Sequence, residues 1–346
     1  MGEFHALTVS DIKRETPNSV SISFDVPKEL KSDFDFKAGQ YITIKYFVDG
    51  KEVRRAYSIS SSPKSGELRV GVKKVEYGIF SPFANEKLKI GDRLEVMPPT
   101  GKFLLEPNLK HYAAFAAGSG ITPILSLAKS TLEEFPESTF LLIYGNKSME
   151  ETMFYGEIME LRKKYPERFS VEFVFSRKEE DNARFGRIDR SIVNYFLKNK
   201  YDNTSHESYY LCGPEEMIDE VSSTLKQHGI NAKQIHHELF STAEKGILVE
   251  KHDGNTKVTI ILDDEEVDFE MPQTKSILEA ALDEGLDAPY SCQGGICSTC
   301  IARLKEGKAE MRKNQILTDS EIADGLILTC QAHPTTAKVV VDYDDI

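Results

Sequence analysis

Residues 291–300 read SCQGGICSTC, and a fourth cysteine follows in LTCQA at 328–332. The four thiols, Cys292, Cys297, Cys300 and Cys330, form a C-x4-C-x2-C run with one distant partner. That is the spacing by which thiolates hold the two irons of a [2Fe–2S] cluster. Gly294 and Gly295 fall inside the loop, where the backbone has to curl tightly so that its N–H groups face the sulfurs. Ser298 and Thr299 add small polar side chains without crowding. A zinc site would bring its ligands as two short pairs, which this run does not do. Upstream, KVTIILDD and EEVDFEM at 257–271 alternate as a hairpin, and a helical pattern follows near 275–284. Residues 255–346 therefore read as a small α+β domain built around a metal cluster.

Toward the N-terminus, glycine and charge at 242–254 mark a linker. Before it, HYAAFAA, FLLIYGN, VEFVFS and SYYLCG are short apolar runs of the kind that become buried strands. Helical patterns near 121–134, 150–164, 187–199 and 214–228 separate them, so residues 109–241 read as an α/β domain with a parallel sheet. Residues 1–108 have a different rhythm. SVSISFDV, YITIKYFV and LRVGVKKV alternate with turns, and long amphipathic helices are absent, as in a small antiparallel β-barrel. Three domains suit a chain of 346 residues.

Each of the first two domains carries a motif with chemistry in it. Gly118-Ser119-Gly120-Ile121-Thr122-Pro123 follows a strand and opens a helix, so a pyrophosphate can approach the backbone at a helix N-terminus. It is not the G-x-G-x-x-G pattern of the Rossmann fold. Cys212-Gly213-Pro214 ends the fourth strand of the same domain. In the barrel, Arg55-Ala56-Tyr57-Ser58 lies on a strand, where a guanidinium can pair with phosphate and a phenol ring can stack on a flat cofactor. Gly78-Ile79-Phe80-Ser81 offers backbone and hydroxyl donors at a helix start. Alone, RAYS is more often an ordinary strand, and a free cysteine such as Cys212 is more often a small buried hydrophobe.

Taken together, R-x-Y-S, G-x-G-I-T-P, C-G-P and the barrel ending GDRLEVMPPTGKF resemble the ferredoxin–NADP reductase superfamily. SCQGGICSTC with LTCQA resembles the plant-type ferredoxin domain appended to bacterial oxygenase reductases, with Gln293 where many ferredoxins have arginine. The order of domains is similar to that in the reductase components of phenylacetyl-CoA epoxidases and ring hydroxylases. The resemblance implies a β-grasp fold for the C-terminal domain. It also implies FAD rather than FMN, held by Arg55, Ala56, Tyr57, Ser58, Gly78, Phe80 and Ser81. A nicotinamide nucleotide would lie against Gly118, Gly120, Ile121, Thr122, Pro123, Cys212, Gly213 and Pro214. Ser58 would sit near flavin N5, Cys212 would pack so as to steer hydride transfer, and Glu238 would reach the flavin, which makes these three the expected catalytic residues. Phe240 would cover the ring until nicotinamide displaces it, and core packing is the competing reading. Ser176-Arg177 resembles the pair with which NADP-specific relatives hold the 2′-phosphate. A hydroxyl and a guanidinium suit a phosphate, whereas a carboxylate would suit a free ribose, so NADPH is expected over NADH.

The net charge of −13 is unevenly placed. Residues 250–346 hold 20 Asp and Glu against 9 Lys and Arg, a balance of −11. This argues against nucleic acid or an anionic membrane as partner, and leaves a solvated acidic surface or a docking face for a basic partner. The start MGEFHALTVSD lacks a secretory pattern, and the uncharged run at 112–128 is broken by Gly118, Gly120 and Pro123, so no membrane span and a cytoplasmic location are expected. The expected function is an NADPH-dependent reductase that takes hydride onto FAD and passes single electrons through the cluster to an oxygenase component, by way of the acidic ferredoxin domain. The alternatives are the reductase of a Rieske-type or other oxygenase, a ferredoxin–NADP reductase working in either direction, and, last, a non-enzymatic redox sensor or interaction protein.

Overall fold

The computed structural model describes residues 3–48, 51–76, 78–240 and 254–346. They fall into two compact units, one ending at Phe240 and one comprising the described residues beyond it. The linker expected at 242–254 lies outside the described residues except for Gly254. Among the described residues no helix is long and apolar enough to cross a membrane.

The first unit begins with six antiparallel strands: β1 (His5–Thr16), β2 (Ser19–Asp25), β3 (Tyr41–Val48), β4 (Lys51–Ser58), β5 (Leu68–Lys73) and β6 (Arg93–Thr100). Their spatial order is β4-β3-β6-β1-β2-β5. The two ends of this sheet meet, because Ile59 bridges Val70 and the Ser60 N–H donates to the Arg69 carbonyl at 2.8 Å. This contact draws the sheet round into a barrel. Strand β5 shows the period of two that gives each face its task. Leu68, Val70 and Val72 enter the barrel core with Val20, Ile22 and Ile44. Arg69, Gly71 and Lys73 alternate with them and face the other half of the unit. A Cβ on Gly71 would come within 2.7 Å of Thr122 Cγ2 there. Helix α1 (Phe80–Glu86) buries Phe80 and Ala84 against the same core.

That other half holds six parallel strands: β7 (His111–Ala117), β8 (Thr139–Asn146), β9 (Phe169–Phe175), β10 (Ala183–Phe185), β11 (Ser208–Cys212) and β12 (Ile235–Glu238). Helices α2 (Ile121–Glu134), α3 (Tyr155–Lys164), α4 (Arg190–Tyr195) and α5 (Glu215–Gln227) lie between them in the chain. The strand order is β10-β9-β8-β7-β11-β12. The chain therefore builds outward from β7 through β8 and β9, then returns to place β11 on the far side of β7. Open α/β sheets bind ligands at such a reversal, in the crevice beyond the carboxyl ends of the strands. Residues Tyr112 to Ala116 are fully buried, as a central parallel strand covered on both faces requires.

The barrel and this sheet share a buried seam. Arg69 Nη2 donates to both carboxylate oxygens of Glu157 on α3, each at 2.9 Å, and Lys129 on α2 pairs with the same carboxylate. Ser126 donates to the Ser61 carbonyl at 2.7 Å, and Ser62 donates to Glu133.

Local details depart from the sequence reading. The helix expected near 150–164 starts only at Tyr155, because Phe154 adopts left-handed backbone with φ 58°. The one expected near 187–199 divides into α4 and a π-helical turn, Phe196–Lys200.

The second unit contains β13 (Asn255–Leu262), β14 (Glu265–Pro272), β15 (Ile301–Glu306), β16 (Ala309–Met311), β17 (Leu326–Leu328), β18 (Ala332–Pro334) and β19 (Lys338–Asp342). Five of these make a mixed sheet in the order β14-β13-β19-β15-β17, and β16 pairs with β18. Helix α6 (Ile277–Asp283) buries Ile277, Leu278 and Ala281 in a core with Val258, Ile260, Val339 and Val341. Helix α7 (Asp319–Ala323) begins with a capping box, in which Thr318 and Glu321 satisfy each other's backbone N–H. Strand β14 stands at a border of the sheet, with Glu265, Glu266, Asp268 and Glu270 exposed.

Candidate functional site

At the carboxyl end of β7 the chain makes a tight turn through Gly118, Ser119 and Gly120, and α2 starts at Ile121. The Tyr144 hydroxyl donates to the Gly118 carbonyl at 2.9 Å, and Thr122 Oγ1 donates to the Ser119 carbonyl at 3.0 Å. Thr122 and Pro123 are buried within the first turn of the helix. Gly120 lies directly against the other motif of this domain, since a Cβ there would stand 2.1 Å from the Cys212 carbonyl oxygen. Only glycine lets the start of α2 sit across the strand reversal beside Cys212, Gly213 and Pro214. Gly120→Ala is expected to push the two strand ends apart, at a cost on the order of 1–3 kcal/mol. Nicotinamide nucleotide affinity should fall roughly tenfold or more, which calorimetric titration would measure.

Three further residues converge at this reversal. Cys212 and Glu238 are register partners on β11 and β12. Ser58, buried at the end of β4, reaches across from the barrel and donates to Glu238 Oε2 at 3.0 Å. Burial, and then the charge of Glu238, push the Cys212 thiol well above its ordinary pKa. The thiol is thereby held neutral, without the thiolate that nucleophilic chemistry needs. Phe240 lies two residues past Glu238 and is 37% exposed.

Within the barrel, the Arg55 guanidinium donates to the Arg54 carbonyl at 2.8 Å. Ala56 and Tyr57 follow on β4, opposite Thr43 and Ile42. The Tyr57 ring lies 5.5 Å from the ring of Phe80, so the RAYS strand meets the GIFS turn through this aromatic pair. Burial raises the pKa of the Tyr57 hydroxyl. Ser81 Oγ accepts from the Val75 N–H at 3.1 Å, and a Cβ on Gly78 would come within 2.7 Å of that oxygen.

Lys73 belongs to this region although no sequence motif contains it. Its Nζ stands 3.6 Å from the position a Cβ on Gly118 would take, and burial lowers its pKa, partly offset by Glu151. The signal for it is the alternation of LRVGVKKV, which turns this lysine away from the barrel core.

Ser176 and Arg177 continue β9 beyond its carboxyl end, where their N–H groups donate to the carbonyls of Asn146 and Lys147 at 3.0 and 2.9 Å. Arg177 is exposed. The neighbouring Lys178 is engaged by Glu150 at 2.8 Å and Glu180 at 3.0 Å.

In the second unit the four cysteines come together. Cys297, Cys300 and Cys330 are buried and Cys292 is half-buried. Cys292 neighbours Cys297, Cys300 neighbours Cys330, and Cys297 is also near Cys300. The Gly294 N–H donates to the Cys292 sulfur at 3.3 Å, and the Cys297 sulfur lies 3.6 Å from Thr299 Oγ1. Gly295 has φ +73°, and a Cβ on it would meet the Lys313 carbonyl at 2.7 Å. Two neighbouring pairs of thiols suit a two-iron cluster. Among the described residues no three His, Cys, Asp or Glu are grouped as for a single ion.

Comparison with known proteins agrees with this geometry. Residues 6–104 match the oxidoreductase FAD-binding domain, 115–223 the oxidoreductase NAD-binding domain, and 260–335 the 2Fe-2S iron–sulfur cluster binding domain. The chain is 40% identical over 353 residues to a component of the 1,2-phenylacetyl-CoA epoxidase of Escherichia coli (strain K12), covering 99% of each. The chain belongs to the family of flavin and iron–sulfur oxygenase reductases. It is also 31% identical to the ferredoxin reductase component of 3-ketosteroid-9-alpha-monooxygenase from Rhodococcus rhodochrous, over 97% of this chain and 96% of that one. Phthalate dioxygenase reductase shares the fold, with a TM-score of 0.63 at 24% identity and 98% coverage of both chains. The reductase is thus an NAD(P)H-dependent oxidoreductase with domains for FAD, a nicotinamide nucleotide and a [2Fe–2S] cluster.

Proposed function

We propose that this reductase draws on NADPH in preference to NADH and delivers single electrons to an oxygenase component that approaches its acidic ferredoxin domain. The convergence of Ser58, Cys212 and Glu238 at the strand reversal carries the reading, because it joins the last residue of a barrel strand to the crevice where a nucleotide would lie. Bound flavin supplies the chemistry that turns a hydride pair into single electrons for an iron–sulfur carrier.

The chain's own residues do the rest. Arg55, with Ser81 and the turn at Gly78, holds the flavin phosphates, while Tyr57 backs the ring. Ser58 and Glu238 orient the hydrogen-bonding edge of that ring. Buried Cys212 packs against the nicotinamide without titrating. Gly118, Gly120 and the start of α2 receive the nucleotide pyrophosphate, with Lys73 as its counter-charge. Phe240, partly exposed, would cover the flavin ring and give way to nicotinamide. Ser176 and Arg177 hold the 2′-phosphate; Lys178 is left to its two glutamates. The names of the relatives, an epoxidase component and a monooxygenase component, support an oxygenase as the electron acceptor.

The test is anaerobic titration of the purified protein with NADPH and with NADH, followed by visible absorption and low-temperature EPR. NADPH should bleach the flavin at lower concentration. Arg177→Ala should raise the KM for NADPH about tenfold, the loss expected for one charge-assisted hydrogen bond, and leave that for NADH unchanged. Equal responses to the two nucleotides in the unsubstituted protein would remove the NADPH assignment.

A further inference from the structure

Three stretches of chain wall the thiolates of the second unit. Residues 288–302, which contain Cys292, Cys297 and Cys300, hold no Asp, Glu, Lys or Arg, and neither do residues 325–337 around Cys330. The third stretch, 312–315, is seated against the other two by its backbone. The Arg312 N–H donates to the Gln331 carbonyl at 3.0 Å, and the Gln315 N–H donates to the Gly295 carbonyl at 3.0 Å. A Cβ on Gly295 would meet the Lys313 carbonyl at 2.7 Å. Gln331 Nε2 closes the ring by donating to the Gln293 carbonyl at 2.9 Å. Residues 312–315 read Arg-Lys-Asn-Gln, so every full charge on these three walls is positive. Arg312 is exposed and Lys313 is half-buried. The nearest carboxylate before Arg312 in sequence, Glu310, pairs in register with His333 on β18.

We propose that electrons leave this domain through a cationic mouth made by Arg312 and Lys313 over an uncharged cluster loop, and that the acceptor protein presents carboxylates to it. This deepens the function proposed above and rests on the four cysteines holding the cluster. An electron must pass between groups brought close together, so the acceptor touches the walls of the cluster and not the acidic border at β14. Charges within a Debye length of the contact, about 10 Å at 0.1 M salt, then outweigh the domain's overall balance of −11.

The rival expectation is of opposite sign, which makes the experiment decisive. The full-length protein is reduced anaerobically, and loss of the rhombic cluster EPR signal is followed by rapid freezing after mixing with ferricyanide. Each ferricyanide takes one electron and becomes ferrocyanide, and the cluster is oxidised by one electron. Attraction at the mouth should slow this oxidation about threefold as salt rises from about 0.1 M, where only the local charges act, to about 1 M. The cationic oxidant hexaammineruthenium(III) should show the reverse trend. In Arg312→Glu/Lys313→Glu the two trends should exchange, and in Arg312→Gln, a milder change, both should flatten. Acceleration of the ferricyanide reaction by salt in the unsubstituted protein, or identical salt dependence in the variants, overturns the proposal. Absence of the EPR signal from the reduced, unsubstituted protein overturns the cluster assignment itself, and the proposal with it.

Discussion

Cys300→Ala is expected to yield a protein that still oxidises its nicotinamide nucleotide but has lost its one-electron output. Cys300 is 1% exposed, and it sits immediately before β15. Its carbonyl accepts from both the N–H and the Oγ1 of Thr329, at 3.1 and 3.0 Å, so the backbone fixes it beside Cys330. The methyl group of alanine is smaller than the thiol it replaces in this core, so the variant can still fold at a modest cost in stability. One iron would be left with a single thiolate, and a cluster of this kind needs four. Iron content and the low-temperature EPR signal should therefore disappear. Transfer to an acceptor that takes electrons from the cluster should fall at least about a hundredfold, while ferricyanide reduction through the flavin continues. Cys212→Ala is the control, because Cys212 belongs to the other unit and its removal should leave iron content unchanged. Retention of a full cluster signal in Cys300→Ala would show that the ligand set has been misassigned.

The second large effect is on stability. Glu157→Ala should leave Arg69 and Lys129 as two largely buried cations with only the more distant Glu67 as a neighbouring carboxylate. Their side chains are each 12% exposed and that of Glu157 is 24% exposed, so solvent screens the cluster only in part. Burial alone would raise the Glu157 pKa, but Lys129 and Arg69 hold it below its ordinary value of 4.5. Breaking such a buried network costs about 3–5 kcal/mol, and the lower end applies at this exposure. For a unit of this size, about 3 kcal/mol lowers Tm by roughly 6–12 °C. Glu157→Gln, which keeps an acceptor, should lose less. The pH dependence follows from the sign of the shift. A carboxylate with a depressed folded pKa contributes stability above its unfolded pKa and loses it as pH falls through the folded value. The unsubstituted protein should therefore lose the seam's contribution on acidification below about pH 4.5, and the alanine variant should show no such component. Calorimetric scans across that range would decide the matter, and parallel pH profiles would exclude the seam as a source of stability.

The sequence makes some of these features plain and conceals others, for reasons that lie in the physics. Cluster ligands three and five residues apart on one loop are fixed by covalent spacing, so Cys292, Cys297 and Cys300 announce their chemistry in one dimension. The same holds for Gly118 to Pro123, where a strand end, a turn and a helix start follow one another directly. The Ser58–Glu238 hydrogen bond joins residues 180 apart and can be anticipated only through resemblance to a family. The Arg69–Glu157 contact, 88 residues apart, gives no such hint, because each partner alone reads as a solvated surface charge. Lys73 lies between these cases. Its alternation with Val70 and Val72 places it outside the barrel core, but only the packed half-unit shows what it faces. The start of α3 escapes periodicity because a single residue, Phe154, adopts left-handed backbone that the pattern of apolar residues does not register.

The bordering strand β14 bears on how this protein survives at high concentration. An unpaired strand edge is a template on which another chain can add, and proteins guard such edges with charge. Here Glu265, Glu266, Asp268 and Glu270 line the border of the five-stranded sheet. Two such edges brought together would set rows of like charge against each other, so the strand that is easiest to extend is also the one that repels its own copy. Neutralising that row with glutamine and asparagine should favour aggregation through sheet extension while leaving the cluster loop untouched.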